Sequence, residues 1–463
     1  MKRVVLNIED LFELPTATIF NPDEIKPIRS VTIDSRHVKE GSLFIAIKGK
    51  NYDGHSFVRQ AVKNGAGMVL INRNKLIEFD DIDVPIVTVR NTTKALGNVA
   101  KIWRRKLNAL VIGVTGSSGK TSTKDIMAVL LGEKYKVKKT ESNNNNNIGV
   151  PLTILAANEK HDVLVAEVGT NHFGEIEYSA KVLEPDNALI TNIGNSHLEF
   201  LKNKTGVLKE KKALYEAAMA KKGKIFINYD DPLLKNFSPM YTSRITYGFD
   251  NRANISGRIQ NYTSDGRPIV KIKYKNKIIN TELPLYGEQS ANNYLAAVSV
   301  ALKLGLTKDQ IKKGTKRLSV TGSRLKVNHQ KNFILIDDTY NSNPDSTRFA
   351  IEFVHKIKTY RRKVLVLGDM FELGKDKEKF HRSLSSVIMK NMIDEVYSIG
   401  PGMKVLNESL KKQKILIKHF RIRRSLEKFI KNFDPNNSVI LIKGSRGMRM
   451  EEFVSLLSQR AAN

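Results

Sequence analysis

No cysteine occurs among the 463 residues, which excludes disulfides and thiolate metal sites and gives no sign of an oxidising compartment. Long apolar runs are also missing: no span approaches the ~18 residues that a membrane helix needs. The opening Met1-Lys-Arg-Val-Val-Leu-Asn-Ile-Glu-Asp meets acid before a signal-peptide core could form. A cytoplasmic protein without membrane insertion is expected. Acidic residues are scarce, 47 against 77 Lys and Arg, leaving a net charge of +30, a balance that raises nucleic acid as a partner. Yet the basic residues are spread over the chain, with local clusters at Lys202–Lys212 and Arg421–Lys431, and there is a single Trp and no recognisable nucleic-acid-binding motif. No nucleic-acid partner is expected; lysine-rich solvated helix faces, or clefts for polyphosphate substrates, account for the charge. Nothing in the sequence speaks for an oligomer, so monomer is the default.

The length suits about three domains at ~150 residues each, and three regions separate. Up to about Leu107, short strand-like runs (Ser42–Ile47, Gly67–Ile71, Ile86–Val89) accompany a helix at Ser56–Asn64 and another at Asn91–Arg105. The second region alternates strands (Val163–Glu167, Ala188–Ile193, Lys224–Asn228) with helices such as Ala291–Leu304, the pattern of a mostly parallel sheet covered on both faces. Between Arg252 and Leu285 a polar, period-two stretch suggests an appended antiparallel hairpin. Alternation restarts at Phe333–Asp337, Lys363–Gly368, Glu395–Gly400 and Val439–Lys443, a second and smaller α/β unit.

The most informative stretch is Gly113-Val-Thr-Gly116-Ser117-Ser118-Gly119-Lys120-Thr121-Ser122, after the apolar run Leu107–Ile112 and before a helix-like segment. Strand, glycine-rich turn and helix N-terminus together wrap backbone N–H groups around phosphates; Lys120 would reach the terminal phosphates and the Thr121 hydroxyl would hold magnesium. The usual phosphate loop has a Gly where Val114 stands. Glu167 ends a buried-type strand, where a second carboxylate would meet the metal, and His197 follows another, in Asn192-Ile-Gly-Asn-Ser-His197. The run Asn143–Asn147 lies between Thr140 and Gly149/Pro151, which reads as a specific loop facing the phosphates rather than as low-complexity sequence. Asp337-Asp338-Thr339-Tyr340-Asn341-Ser342-Asn343-Pro344 ends a strand in a dense polar cluster, for which a plain turn is the alternative.

Gly113–Thr123, Thr140–Pro151, Glu167–Gly174, Asn192–Glu199, Asp337–Pro344, Gly368–Gly374 and Lys443–Arg446 together resemble the Mur ligases, ATP-dependent peptide ligases of cell-wall precursor synthesis, over essentially the full chain. In that family, too, the phosphate loop lacks the Gly replaced by Val114. Residues 337–344 and Leu367–Gly374 look like the members that add D-alanyl-D-alanine; the Tyr-Ala-His and Asp-Asn-Pro-Arg motifs of the members adding the third residue do not occur. The resemblance implies a three-domain α/β architecture: an N-terminal UDP-precursor-binding domain (1–106), a central P-loop parallel-sheet ATPase domain (107–318) and a C-terminal Rossmann-like ligase domain (319–463). It implies ATP and magnesium as cofactors, and UDP-N-acetylmuramoyl-tripeptide and D-Ala-D-Ala as substrates joined through an acyl phosphate.

Residue by residue, the resemblance implies that Gly116–Ser122 hold the phosphates, that Thr121 and Glu167 hold one magnesium and that His197 holds a second. Lys120, His197 and Lys211 would be catalytic, Lys211 as a carbamylated lysine beside the second metal, with Lys212 as the adjacent alternative. Asn293, Arg324, Asp338 and Tyr340 would contact adenine and ribose. Ser35, Arg36, Asn143, Asn145 and Asn146 would contact the UDP substrate, with the Asp53-Gly-His55 turn near its UDP end. Asn343, Lys443, Ser445 and Arg446 would contact the dipeptide or peptide end. One departure is Gly287-Glu288-Gln289-Ser290, where relatives often carry His and Asn after the Gly. The substrate's third residue stays open between meso-diaminopimelate and lysine. The rivals are a neighbouring Mur ligase or a folylpolyglutamate-synthase relative and, in another class, a nucleic-acid-binding P-loop protein.

Overall fold

Continuous apolar runs such as Val111-Ile-Gly-Val and Val163-Leu-Val-Ala are buried on both faces, as strands of a parallel sheet packed between helices must be. The computed structural model describes residues 5–49, 51–320 and 322–460 and arranges them around three sheets. The first holds β1 (Thr18–Phe20), β2 (Ser30–Thr32), β3 (Ser42–Ile45), β4 (Ala66–Asn72) and β5 (Ile86–Val89) in the order β1-β5-β4-β3-β2. Only β1 runs antiparallel to its neighbour.

The second sheet holds β6 (Leu110–Thr115), β7 (Val137–Lys139), β8 (Val163–Glu167), β9 (Asn187–Ile190), β10 (Lys224–Asn228), β11 (Arg244–Gly248), β12 (Ile255–Tyr262), β13 (Pro268–Tyr274) and β14 (Lys277–Glu282). Their order is β14-β13-β12-β11-β10-β9-β6-β8-β7. All neighbours are parallel up to the β11–β12 pair, and β13 and β14 finish the sheet antiparallel. The expected hairpin is thus a three-stranded extension of the central sheet. Its inward residues Val270, Ile272 and Ile279 share a core with the helix Gly287–Lys303, which explains the period-two pattern: one face of the strands is buried and the other is wet.

The third sheet holds β15 (Lys326–His329), β16 (Ile334–Asp338), β17 (Arg362–Gly368), β18 (Glu395–Ile399), β19 (Leu416–Phe420) and β20 (Ser438–Lys443), in the order β15-β16-β20-β17-β18-β19. Only β15 is antiparallel. The connection β16 to β17 skips over β20, which makes a switch point of the kind where ligands sit at the carboxyl ends of strands.

The helix Thr92–Lys106 joins the first and second sheets in more than sequence. Leu96, Val99 and Trp103 belong to one core with Val150 and Ile154, the Trp103 indole N–H donates to the Ala157 carbonyl at 3.0 Å, and Arg104 pairs with Asp186 at 2.8 Å. Among the described residues no helix is long and apolar enough to cross a membrane.

Candidate active site

Six strand ends converge on one cleft of about 430 Å³. From the central sheet come the turn after β6, the end of β8 and the segment after β9; from the third sheet come the segments after β16, β17 and β20. The start of the helix Gly287–Lys303 closes one side.

The turn after β6 uses two glycines where no other residue fits. Gly116 (φ 152°) and Gly119 (φ 77°) both have left-handed backbone, and a methyl group on them would overlap the side chains of Thr191 and Asn293. The helix Lys120–Leu131 then starts directly behind Gly119, so its free N–H groups point into the cleft. The turn is strapped to the segment after β9. Ser117 N–H donates to the Asn192 carbonyl at 3.0 Å, Ser118 N–H to Asn192 Oδ1 at 3.1 Å, and the Thr191 hydroxyl to the Ser118 carbonyl at 2.6 Å. Lys120 donates to the Gly116 carbonyl at 2.9 Å. Burial pushes its ammonium pKa down, with Glu167 opposing and Arg324 adding to the shift. An incoming polyphosphate would relieve that penalty, because it supplies the negative charge the buried cation lacks.

Glu167 is buried at the end of β8. Its N–H donates to the Thr140 hydroxyl at 2.9 Å, and its Oε1 accepts from the Asn145 amide at 2.9 Å. Its Oε2 is buried without a partner. That orphaned oxygen, in a cleft that Thr121 also lines, is the hard-oxygen chemistry that magnesium takes. Among the described residues no three His, Asp or Glu groups gather into a cage, which suits a cation completing its shell with phosphate oxygens and water.

His197 begins the short helix Leu198–Leu201 with a left-handed backbone (φ 52°). Its Nδ1 lies 2.6 Å from Oε2 of Glu372, across from the third sheet; this is an ion-pair contact in which the ring N–H is not aligned on the oxygen. The imidazole holds the Glu372 carboxyl below the usual carboxylate range. Lys211, on the helix Lys204–Ala220, does not line the cleft. It is 1 % exposed, and burial, reinforced by the charge of Lys120, pushes its pKa well below that of an ordinary lysine. Lys212 instead pairs with Glu216 at 3.0 Å on the partly exposed face. Next to Lys211, the buried Glu210 accepts from the Gly174 and Ile176 N–H groups, both at 2.7 Å, and from the Thr170 hydroxyl at 3.1 Å.

The residues assigned to the nucleotide base converge at the same cleft. The Arg324 guanidinium stacks 3.8 Å from the centroid of the Tyr340 ring. Asp338 accepts from the Leu325 N–H at 3.0 Å and from Lys443 at 2.6 Å. Gln289 donates to Asn293 Oδ1 at 3.2 Å, so the glutamine of the departing segment supports Asn293 at the cleft wall.

Other assigned residues spend their polar atoms on the scaffold. Lys443 is buried between Asp338 and the Asn341 carbonyl, 2.9 Å away. The Ser445 hydroxyl accepts from the Phe371 N–H at 2.8 Å, and Asn343 caps the helix Pro344–Lys356 through the Ser346 N–H at 2.8 Å. Of that group Arg446 presents an exposed side chain at the cleft, 3.3 Å from Glu451. Asn145 and Asn146 line the cleft and Asn143 does not; Asn146 Oδ1 accepts from the Ile148 and Gly149 N–H groups at the start of the helix Gly149–Leu155. Ser35 and Arg36 lie in the first domain outside the cleft. Arg36 pairs with Asp34 at 2.7 Å, and the Ser35 carbonyl accepts from Asn64 at 2.8 Å. Both ring nitrogens of the buried His55 are used, against Asp53 at 2.6 Å and the Asn72 N–H at 3.0 Å, which makes it a pin for the turn. Sequence reasoning missed Glu372 and Asp345. Glu372 had a signal, since it lies inside the Gly368–Gly374 segment.

Three family models match successive parts of the chain: "Mur ligase family, catalytic domain" at residues 27–104, "Mur ligase middle domain" at 114–301 and "Mur ligase, glutamate ligase domain" at 323–446. The UDP-N-acetylmuramoyl-tripeptide--D-alanyl-D-alanine ligase of Bacillus subtilis is 34 % identical over 458 residues, 98 % of each chain. Among solved structures, MurF from Acinetobacter baumannii superposes with a TM-score of 0.89 at 28 % identity, covering 99 % of this chain and 100 % of that one. MurF ligase from Thermotoga maritima in complex with ADP gives 0.83 at 28 % identity, over 94 % and 98 %.

Proposed function

The chain belongs to the Mur ligase family, and from that premise we propose that it is an ATP-dependent ligase joining D-alanyl-D-alanine to UDP-N-acetylmuramoyl-tripeptide. The observation that carries this reading is the single cleft in which a phosphate loop, the half-paired Glu167 and His197 face the nucleotide-type pair Arg324 and Tyr340. Support for the substrates comes from the near-complete coverage, in both chains, of a relative named for that reaction.

In the first step the terminal carboxylate oxygen of the tripeptide attacks the γ-phosphorus of ATP; the bond to the bridging oxygen breaks and ADP leaves. In the second the neutral amine of D-Ala-D-Ala attacks the acyl phosphate carbon, the carbon–oxygen bond to phosphate breaks, and the amine proton ends on the departing phosphate as the amide forms. Lys120 and the N–H groups of residues 116–122 stabilise the charge on the transferred phosphoryl group, the work that dominates such transfers. Thr121 and Glu167 would hold one magnesium and His197 a second, and these would neutralise phosphate charge and orient the oxygens. Lys211, whose pKa burial lowers, can react through its free amine with CO₂ to give a carbamate and release a proton, which places a carboxylate-like ligand behind the phosphate loop. Asn293, Arg324, Asp338 and Tyr340 hold adenosine. Arg446 meets the peptide end, while Asn343, Lys443 and Ser445 shape the wall behind it. Ser35 and Arg36 meet the UDP end in the first domain, and Asn143, Asn145 and Asn146 border the path toward the phosphates. Contacts divided among three domains require closure around a water-sensitive acyl phosphate.

Phosphate release from ATP, measured with the UDP-linked tripeptide, is expected to depend on D-Ala-D-Ala. Equal release with single D-alanine, lysine or diaminopimelate would overturn the dipeptide assignment.

A further inference from the structure

The turn Asn195-Ser196-His197 is held from two sides. Toward the nucleotide side, the Ser117 hydroxyl accepts from the Gly194 N–H at 2.8 Å and lies 2.9 Å from the Ser196 hydroxyl. Toward the third sheet, Asp345 Oδ2 accepts from the Asn195 N–H at 2.9 Å, and Glu372 Oε2 stands 2.6 Å from His197 Nδ1. The backbone seals the same contact: the Glu199 N–H donates to the Glu372 carbonyl at 3.3 Å. Both His197 (φ 52°) and Glu372 (φ 61°) adopt left-handed backbone, a conformation that is unfavourable for a non-glycine residue. The surrounding packing therefore holds each of them in place. Glu372 itself is 43 % exposed, which is not how a residue placed for core stability sits.

We propose that Glu372 is a positioning residue for His197. As the C-terminal domain closes, the Glu372 carboxylate, already 2.6 Å from Nδ1, turns into line with that N–H, keeps the proton on that nitrogen and leaves the lone pair on Nε2. A carboxylate on one imidazole nitrogen fixes the tautomer and raises the basicity of the other. The contact comes from a different domain, so His197 is oriented only once the domains have closed, and Asp345 fixes the start of the same turn. The inference rests on reading the cleft as the phosphate-transfer site of a carboxylate-activating ligase.

The test uses ring-¹⁵N histidine in the full chain, without magnesium or nucleotide, at about pH 8. The chain has nine histidines, and His197→Gln assigns the relevant pair of signals. The wild-type His197 is expected to carry its proton on Nδ1, Glu372→Leu to shift it toward Nε2, and Glu372→Gln, which keeps an acceptor oxygen, to stay near wild type. In turnover, Glu372→Leu is expected to lower kcat by about 10–100-fold, the range for groups that orient metal ligands, with little change in KM for D-Ala-D-Ala, and the Gln variant to recover most of the loss. Identical His197 signals in the wild type and Glu372→Leu, or equal kcat losses in the Leu and Gln variants, would overturn the proposal. Absence of tripeptide-dependent phosphate release by the wild type would instead overturn the proposed reaction, and the ring signals would still decide the role of Glu372.

Discussion

Asn145 and Glu167 are joined by one amide-to-carboxylate hydrogen bond of 2.9 Å, which leaves Glu167 Oε2 buried and unpartnered. Burying a carboxylate oxygen without a partner is costly, and it persists here because Asn145 and the Thr140 hydroxyl at its N–H fix the residue. Asn145→Ala removes the side-chain half of that support. Turnover is expected to fall about 10–100-fold, with a raised magnesium concentration at half-maximal rate and a melting temperature close to wild type. Unchanged magnesium dependence would separate Asn145 from Glu167.

Lys211 and Lys212 are neighbours with opposite environments, one buried beside Lys120 and the other paired with Glu216 at the surface. Lys211→Ala is expected to lose on the order of 100-fold or more in kcat, as when one charge-stabilising group is removed, and Lys212→Ala to keep nearly all of it. Burial lowers the Lys211 pKa, so the neutral amine that CO₂ requires persists well below the pH at which an exposed lysine deprotonates. Acidification through that lowered value protonates the amine. Activity lost in acidic, CO₂-free buffer should therefore return at neutral pH only when bicarbonate is added. Full recovery without bicarbonate would argue against the carbamate.

Gly119 leaves no room for a side chain: its φ is 77° and a methyl would overlap the Asn293 carboxamide. Gly119→Ala is expected to cost about 1–2 kcal/mol of backbone strain and to displace Asn293 from the cleft wall. Calorimetric titration with ADP should show affinity reduced by about tenfold or more, the equivalent of ~1.4 kcal/mol. Affinity equal to wild type would mean that the loop relaxes around the methyl without involving Asn293.

Much of this arrangement could be read from the sequence because the residues concerned lie at the ends of buried strands. The runs before Thr115, Glu167, Asp337 and Lys443 (residues 111–114, 163–166, 334–336 and 439–442) carry no polar side chain, so both the strand and its polar end stand out. Of the strands that escaped, β1, β2, β7, β15 and β19 are sheet edges, and only β11 lies inside a sheet, among the described residues. Edge strands are short or half-solvated, and Lys326-Val-Asn-His or Leu416-Ile-Lys-His carries no run that periodicity could detect. Lys443 and Asn343 were legible as polar residues at a strand end and a helix start, but not as groups already paired within the scaffold. Glu372 was invisible as a partner of His197, because 175 positions separate them and only docking of the third sheet on the second brings them together.

Lys443 and Asp338 form a pair that supports the nucleotide wall. Lys443 is 1 % and Asp338 14 % exposed, with 2.6 Å between them. Lys443→Met leaves the Asp338 carboxylate with the Leu325 N–H as its one hydrogen-bond donor among the described residues, and stranding a buried charge costs about 3–5 kcal/mol. Asp338→Asn strands the ammonium, which retains the Asn341 carbonyl. Each single variant is expected to lower the midpoint of the C-terminal unfolding transition in urea and to weaken ADP binding, since Leu325 follows Arg324 directly. The double variant buries no net charge, and its loss should be smaller than the sum of the two single losses by at least ~1 kcal/mol, because partners in direct contact are not additive. Strict additivity in the cycle would show that Lys443 acts on the wall through the Asn341 carbonyl rather than through Asp338.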